Sequence, residues 1–241
     1  MICKMALQEI RNNSVEKNPL KIHFEWLARV VAIWMCAGTC FAQYRILPGN
    51  ADSDGCNPTT AARICLGATG EEHCYAPPND KYGSTDKEQY IFGLEPKAQA
   101  VGRFKGQELT LFAATFSGCG SGTLTRFSLL TVQGGDFVNL LPKVGLTNQS
   151  EFKIWNLPQY SVLPILVTAD FIWDFDAGET HFAHHRYEIS AYAFDPKTGR
   201  YQLKTSYQTR RKYAGLDDLD TIDVLDVERP TIRAKLVLGP R

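Results

Sequence analysis

In residues 108–116, "ELTLFAATF", Leu109, Leu111, Ala113 and Thr115 occupy alternate positions. Side chains of a strand project to opposite faces with a period of two, so this spacing predicts a strand with one apolar face. The neighbouring runs "QYIFGL", "AQAVGRF", "TLTRFSLLTV" and "DFVNLL" are short and rich in Val, Leu, Phe, Tyr and Thr. Glycine-containing breaks, "KGQ", "SGCGSG" and "QGGD", separate most of them, the texture of an antiparallel sheet. Further on, "LPILVTADFIWDF" is a continuous apolar run and predicts a strand buried on both faces. In "HRYEISAYAFD" the pattern alternates again. Tyr187, Ile189, Ala191 and Ala193 fall on one face, and Arg186, Glu188, Ser190 and Tyr192 on the other, with Tyr192 expected at the surface. "PKTG" then turns the chain into "RYQLKTSYQTRRKY", the clearest hairpin in the sequence.

The remaining segments carry weaker patterns. "PKVGLTNQSEFKIWNLPQYS" reads as loop, and "DVERPTIRAKLVL" as a helix with Pro230 near its start, where a missing N–H does no harm. Residues 43 to about 86 are rich in Gly, Pro, Asn, Asp and Ser, the turn formers. Within them "TTAARICLGATG" is expected to form a short helix, capped by Thr59 or Thr60 and stopped at Gly67. No internal repeat is present, which argues against a propeller. The expected architecture is mainly β: an antiparallel sandwich or incomplete barrel over 89–241 ending in a short C-terminal helix, preceded by an irregular, disulfide-tied lobe over 43–88.

The N-terminus changes this picture. Val30–Ala42, "VVAIWMCAGTCFA", is thirteen residues without a charge, behind Lys21 and Arg29. That is the pattern of a secretory leader, too short for the ~20 residues that span a bilayer. Cleavage after Ala42 would release a mature chain bound for the periplasm or the extracellular space, with no membrane span. The first ~20 residues look unrelated to export, and a start site placed too early would account for them. The seven cysteines follow the same division: Cys3, Cys36 and Cys40 precede the cut, and Cys56, Cys65, Cys74 and Cys119 follow it. Four cysteines in an oxidising compartment predict two disulfides, and the spacing leaves three pairings open. No C-x-x-C pair suggests a zinc ribbon.

Charge excludes one class of partner. The chain has 26 basic and 26 acidic side chains. Five basic residues (Lys4, Arg11, Lys17, Lys21, Arg29) and three acidic ones (Glu9, Glu16, Glu25) precede the cut, so the mature part keeps 21 and 23. A net charge near −2 gives no long-range field for nucleic acid.

Candidate chemistry gathers in "WDFDAGETHFAHHRYEISAY", which holds three of the five histidines and four carboxylates. Asp174, Asp176, Glu179, His181 and His185 form the candidate set for a divalent metal, a mixed carboxylate–imidazole site suited to zinc, manganese or iron. His181 and His185 would lie about 13 Å apart on a straight strand, so one metal requires a turn. The string "HFAHH" lacks the Glu of the zincin motif, and "DFDAGE" departs from calcium-loop patterns after its second acid. The acidic run "LDDLDTIDVLDVE" reads as a solvated face near a helix start, offset by "RRK" at 210–212. "SGCGSGTLT" lacks the Lys-Ser/Thr of a phosphate loop and reads as a hairpin turn. The aromatics Trp155, Trp173, Tyr187, Tyr192, Tyr201, Tyr207 and Tyr213 raise a carbohydrate-binding face as one reading. No catalytic constellation and no resident cofactor follow from these motifs. The expectation is an exported β-rich binding or envelope-associated protein, more readily non-enzymatic than catalytic, with a protein or carbohydrate ligand. The alternatives are a metal-dependent hydrolase built on Glu179, His181 and His185, and an inhibitor or partner of a secreted enzyme.

Overall fold

A computed structural model describes residues 44–67, 73–81, 89–117, 123–141, 146–148, 151–172, 183–213 and 223–238. The chain divides into two units, Met1–Phe41 and Ala42–Arg241, and every described residue belongs to the second. It is a mainly β fold; among the described residues every strand pair is antiparallel and there is one helix.

Three sheets and the helix stack in layers. The lobe sheet joins β1 (Tyr44–Leu47), β2 (Arg63–Leu66) and β3 (His73–Tyr75). A small ribbon, β4 (Asp80–Lys81) with β5 (Gln89–Tyr90), follows. The central sheet is built from β6 (Leu94–Phe104), β7 (Gln107–Ser117), β8 (Thr123–Gln133), β9 (Asp136–Asn139) and β10 (Leu146–Asn148). The back sheet runs in order through β11 (Glu151–Trp155), β12 (Ile165–Phe171), β13 (Tyr187–Asp195) and β14 (Arg200–Gln208). Helix α1 (Val224–Leu238) closes the stack.

Each interface between layers is an apolar core. Ala62 and Ile64 of the lobe meet Phe92, Phe112, Ala114 and Leu130. The opposite face of the central sheet, Leu109, Leu111, Ala113, Phe127 and Leu129, packs on Leu166, Tyr192 and Phe194 of the back sheet. The far side of the back sheet, with Val167, Ile189 and Ala191, receives Val224, Leu225 and Ile232 from α1. Strand β12 is therefore buried on both faces, as its apolar run predicts. So is β7, where the alternation marks only one face. Tyr192 is 6% exposed, which corrects its placement at the surface: the polar look of its neighbours gives way to the central sheet that covers that side.

Turn chemistry fixes the pairing. Phe104 pairs with Gln107 across Lys105 and Gly106, both at positive φ (50° and 81°), the two-residue hairpin turn whose twist matches that of its strands. Gly134 and Gly135 do the same between β8 and β9, at 63° and 94°. The "PKTG" turn forms as expected, with Asp195 accepting from the amides of Lys197 (3.0 Å) and Gly199 (2.9 Å). Edge strand β6 carries two bulges, which disturb the row of groups another chain could pair with.

Three local expectations change. The run expected to be a helix near Ala62 is strand β2, because Ile64 and Cys65 are buried between β1 and β3. "LTN" and "EFKIW" are strands β10 and β11, not loop. Pro230 is the seventh residue of α1, because the helix begins earlier, at Val224. Asp223 caps that start, its carboxylate accepting from the amide of Asp226 at 3.1 Å.

The lobe is disulfide-tied: Cys65 and Cys74 are register partners on β2 and β3 and are bonded to one another. Cys56 is also disulfide-bonded, to a cysteine outside the described residues. A three-stranded sheet of three- and four-residue strands has little core of its own and needs such a staple. Replacing the bonded pair together, Cys65→Ala/Cys74→Ala, is expected to lower the unfolding free energy by about 2–3 kcal/mol, the loop-closure entropy of a ring this size. Urea unfolding measures it, and an unchanged midpoint would show that the lobe sheet holds without the bond.

Candidate functional site

The histidine-rich stretch that dominates the sequence is only partly placed. Asp174, Asp176, Glu179 and His181 lie outside the described residues, as does Cys119. His185 is described and fully buried. Its backbone exchanges two hydrogen bonds with Tyr213, at 2.9 and 2.8 Å. Its ring lies 3.8 Å from the Phe171 ring, centroid to centroid, and its Nδ1 is 3.2 Å from the carbonyl oxygen of Ile172. His184 is exposed. Among the described residues no group of three or more His, Cys, Asp or Glu could hold a metal ion. No described helix is long and apolar enough to cross a membrane.

The bridge from His185 to Tyr213 organises a different place. Strand β14 ends at Gln208, and Thr209 turns the chain inward. The Thr209 hydroxyl donates to the carbonyl of Arg211 (2.9 Å) and accepts from the amide of Tyr187 (3.0 Å). Thr209 and Tyr213 are buried, so the intervening Arg210 and Arg211 are forced outward. Opposite them, Glu228, Thr231 and Lys235 lie at i, i+3 and i+7, on one side of α1. Together with Tyr207 these side chains line an open cleft of about 490 Å³.

Among the described residues of the lining, Glu228 is the one acidic side chain. Its Oε2 accepts from the Tyr207 hydroxyl at 2.9 Å, and its Oε1 accepts a short hydrogen bond from the Tyr213 hydroxyl. Burial and the facing carboxylate both hold these phenols above the usual tyrosine range, so they stay protonated donors. The cations stack on the same two rings. The Arg211 guanidinium lies 4.4 Å from the Tyr213 ring centroid, and Lys235 Nζ lies 4.8 Å from that of Tyr207. Both phenol hydrogens are thus spent on Glu228, and the charged donors the lining offers a ligand are Arg210, Arg211 and Lys235; among the described residues it holds no Ser, Cys or His.

A second polar cluster sits at the other end of α1. Glu151 on edge strand β11 accepts from the amide of Leu225 at 2.7 Å, satisfying a first-turn donor of the helix. Lys153, two residues on, pairs with Asp223 and, at 2.8 Å, with Asp226. These are the two described aspartates of the acidic run, and the cation that offsets them comes from β11. Burial pushes the Glu151 carboxyl up to about 7, and neighbouring Asp223 adds to the effect against the Leu225 amide and Lys153. This cluster docks the helix onto β11.

Sequence reading missed the cleft because its residues come from two segments about twenty apart, and each looks ordinary by itself. The helical spacing of Glu228, Thr231 and Lys235 opposite a basic strand end was the available signal. No family model matches this chain, and no curated protein or solved structure is significantly similar to it.

Proposed function

We propose that the chain is an exported β-rich binding protein that takes a small ligand in the cleft between β14 and α1. The observation that carries this reading is the cleft itself. It is concave, within the size range of metabolite sites, and lined by Arg211 and Lys235, which stack on tyrosine rings that Glu228 holds in place. The Cys65–Cys74 bond supports export, because such bonds persist in oxidising compartments. The lining chemistry favours holding a ligand over transforming one.

A nuclear magnetic resonance screen of the full chain, labelled with nitrogen-15, against a mixed small-metabolite library tests the reading. Hits are expected to shift the amides of Tyr207, Arg211, Thr231 and Lys235 as a group. Hits scattered over other surfaces, or a screen that leaves these amides unmoved, would remove the cleft as the binding site.

A further inference from the structure

We propose that the ligand of this cleft presents an oxyanion, a phosphate or a carboxylate, clasped by Arg210, Arg211 and Lys235. The inference rests on the cleft being the binding site and adds the class of ligand. Its basis is a charge imbalance built into the lining. Among the described lining residues three cations face one carboxylate, and both oxygens of that carboxylate, Glu228, accept from tyrosine hydroxyls. Among the described residues no carboxylate forms an ion pair with Arg210, Arg211 or Lys235. The same helix behaves otherwise at its first turn, where Lys153 is matched by two aspartates. Positive charge left without a counter-charge in a concave wall raises the local concentration of anions.

The geometry suits an oxyanion in particular. A guanidinium presents a planar fork that matches two oxygens of a phosphate or carboxylate. Stacking on Tyr213 and Tyr207 restricts Arg211 and Lys235 before any ligand arrives, so less freedom is lost on binding. The exposed Thr231 hydroxyl adds a neutral donor on the helix side. A cleft of about 490 Å³ limits the ligand to a small molecule, and a near-neutral chain gives no field to draw in a polyanion.

The test titrates the full chain with phenyl phosphate, succinate and uncharged benzyl alcohol, reading the amides of Arg211, Thr231 and Lys235. At least one anion is expected to bind there. Its affinity should fall tenfold or more in Arg211→Gln/Lys235→Gln and weaken in 0.5 M salt, roughly as a two- or three-charge contact requires. Lys197→Gln, in the distant "PKTG" turn, should leave it unchanged. Arg210→Gln alters an exposed side chain and provides a variant that keeps the tyrosine stacks. Phosphate binding without succinate assigns a phosphorylated ligand, and the reverse assigns a carboxylate. If benzyl alcohol moves the cleft amides and neither anion does, the charge class is wrong and the cleft reading stands. If none of the three moves them, both fall. Anion binding that survives loss of the cations would also overturn the proposal.

Discussion

Phe112→Ala is expected to lower the unfolding free energy by ~3–5 kcal/mol, the cost of emptying a large buried aromatic site. Phe112 is fully buried on the face of β7 that meets the lobe, among Ile64, Phe92, Ala114 and Leu130. The upper part of the range applies because its neighbours cannot close the space. Tyr75 meets Phe112 edge-on at 6.4 Å, but its hydroxyl is hydrogen-bonded to Ser128 at 2.8 Å and accepts from the Asn139 side-chain amide at 3.2 Å. Those bonds hold the Tyr75 ring where it is. Chemical denaturation measures the loss, with Leu203→Ala on the exposed part of β14 as a reference expected within about 0.5 kcal/mol of the parent. A loss for Phe112→Ala no larger than that reference would mean that the lobe does not pack on β7 in solution.

The second large effect is pH-dependent and comes from Glu151. Its carboxyl titrates near 7 in the folded chain, against an ordinary value of 4.5. Between these values the folded state keeps a proton that the unfolded state has released, so stability falls as pH rises through that window. The full cost is present above pH 7 and absent below about 4.5. Two and a half units correspond to roughly 3 kcal/mol, and partial access of water to this half-buried group reduces that to about 2–3 kcal/mol. Glu151→Gln keeps the shape and the acceptor for the Leu225 amide while removing the ionisation. The variant should therefore be more stable than the parent at pH 8 by that amount and equal to it at pH 4. Two parallel stability–pH curves, or a parent that is the more stable at pH 8, would refute the assignment.

Much of this architecture was legible in the sequence, and the reasons are local. The β13–β14 hairpin announces itself through alternation beside "PKTG", and α1 through "DVERPTIRAKLVL", although the helix begins earlier than Pro230 suggests. The disulfide-tied lobe followed from cysteine placement, although spacing could not select Cys65 with Cys74. What failed depended on neighbours in space. Strand β2 has a composition that a helix would also accept, and only burial between β1 and β3 decides it. Tyr192 shares its face with Glu188 and Ser190, yet the central sheet covers it. The candidate site shows the same limit. The sequence points to histidines because histidine is chemically conspicuous; of that candidate set only His185 is among the described residues, buried beside Phe171. The cleft depends instead on two tyrosines engaging a glutamate from another element, which no spacing within one segment encodes.

Strands β7 and β12 have apolar layers on both sides, and this has a consequence for how the fold is specified. In a strand with one wet face, a slip by one residue sends polar side chains inward and is penalised at once. A slip in β7 would exchange Phe112 and Ala114 for Leu111 and Ala113, one oily set for another. Hydrophobicity is nearly blind to that error. The alignment of the strands at the centre must then be written outside them, in the two-residue turns at Lys105–Gly106 and Gly134–Gly135 and in the shapes of the side chains. The most buried strands carry the stability, and short exposed turns carry the instructions for where those strands belong.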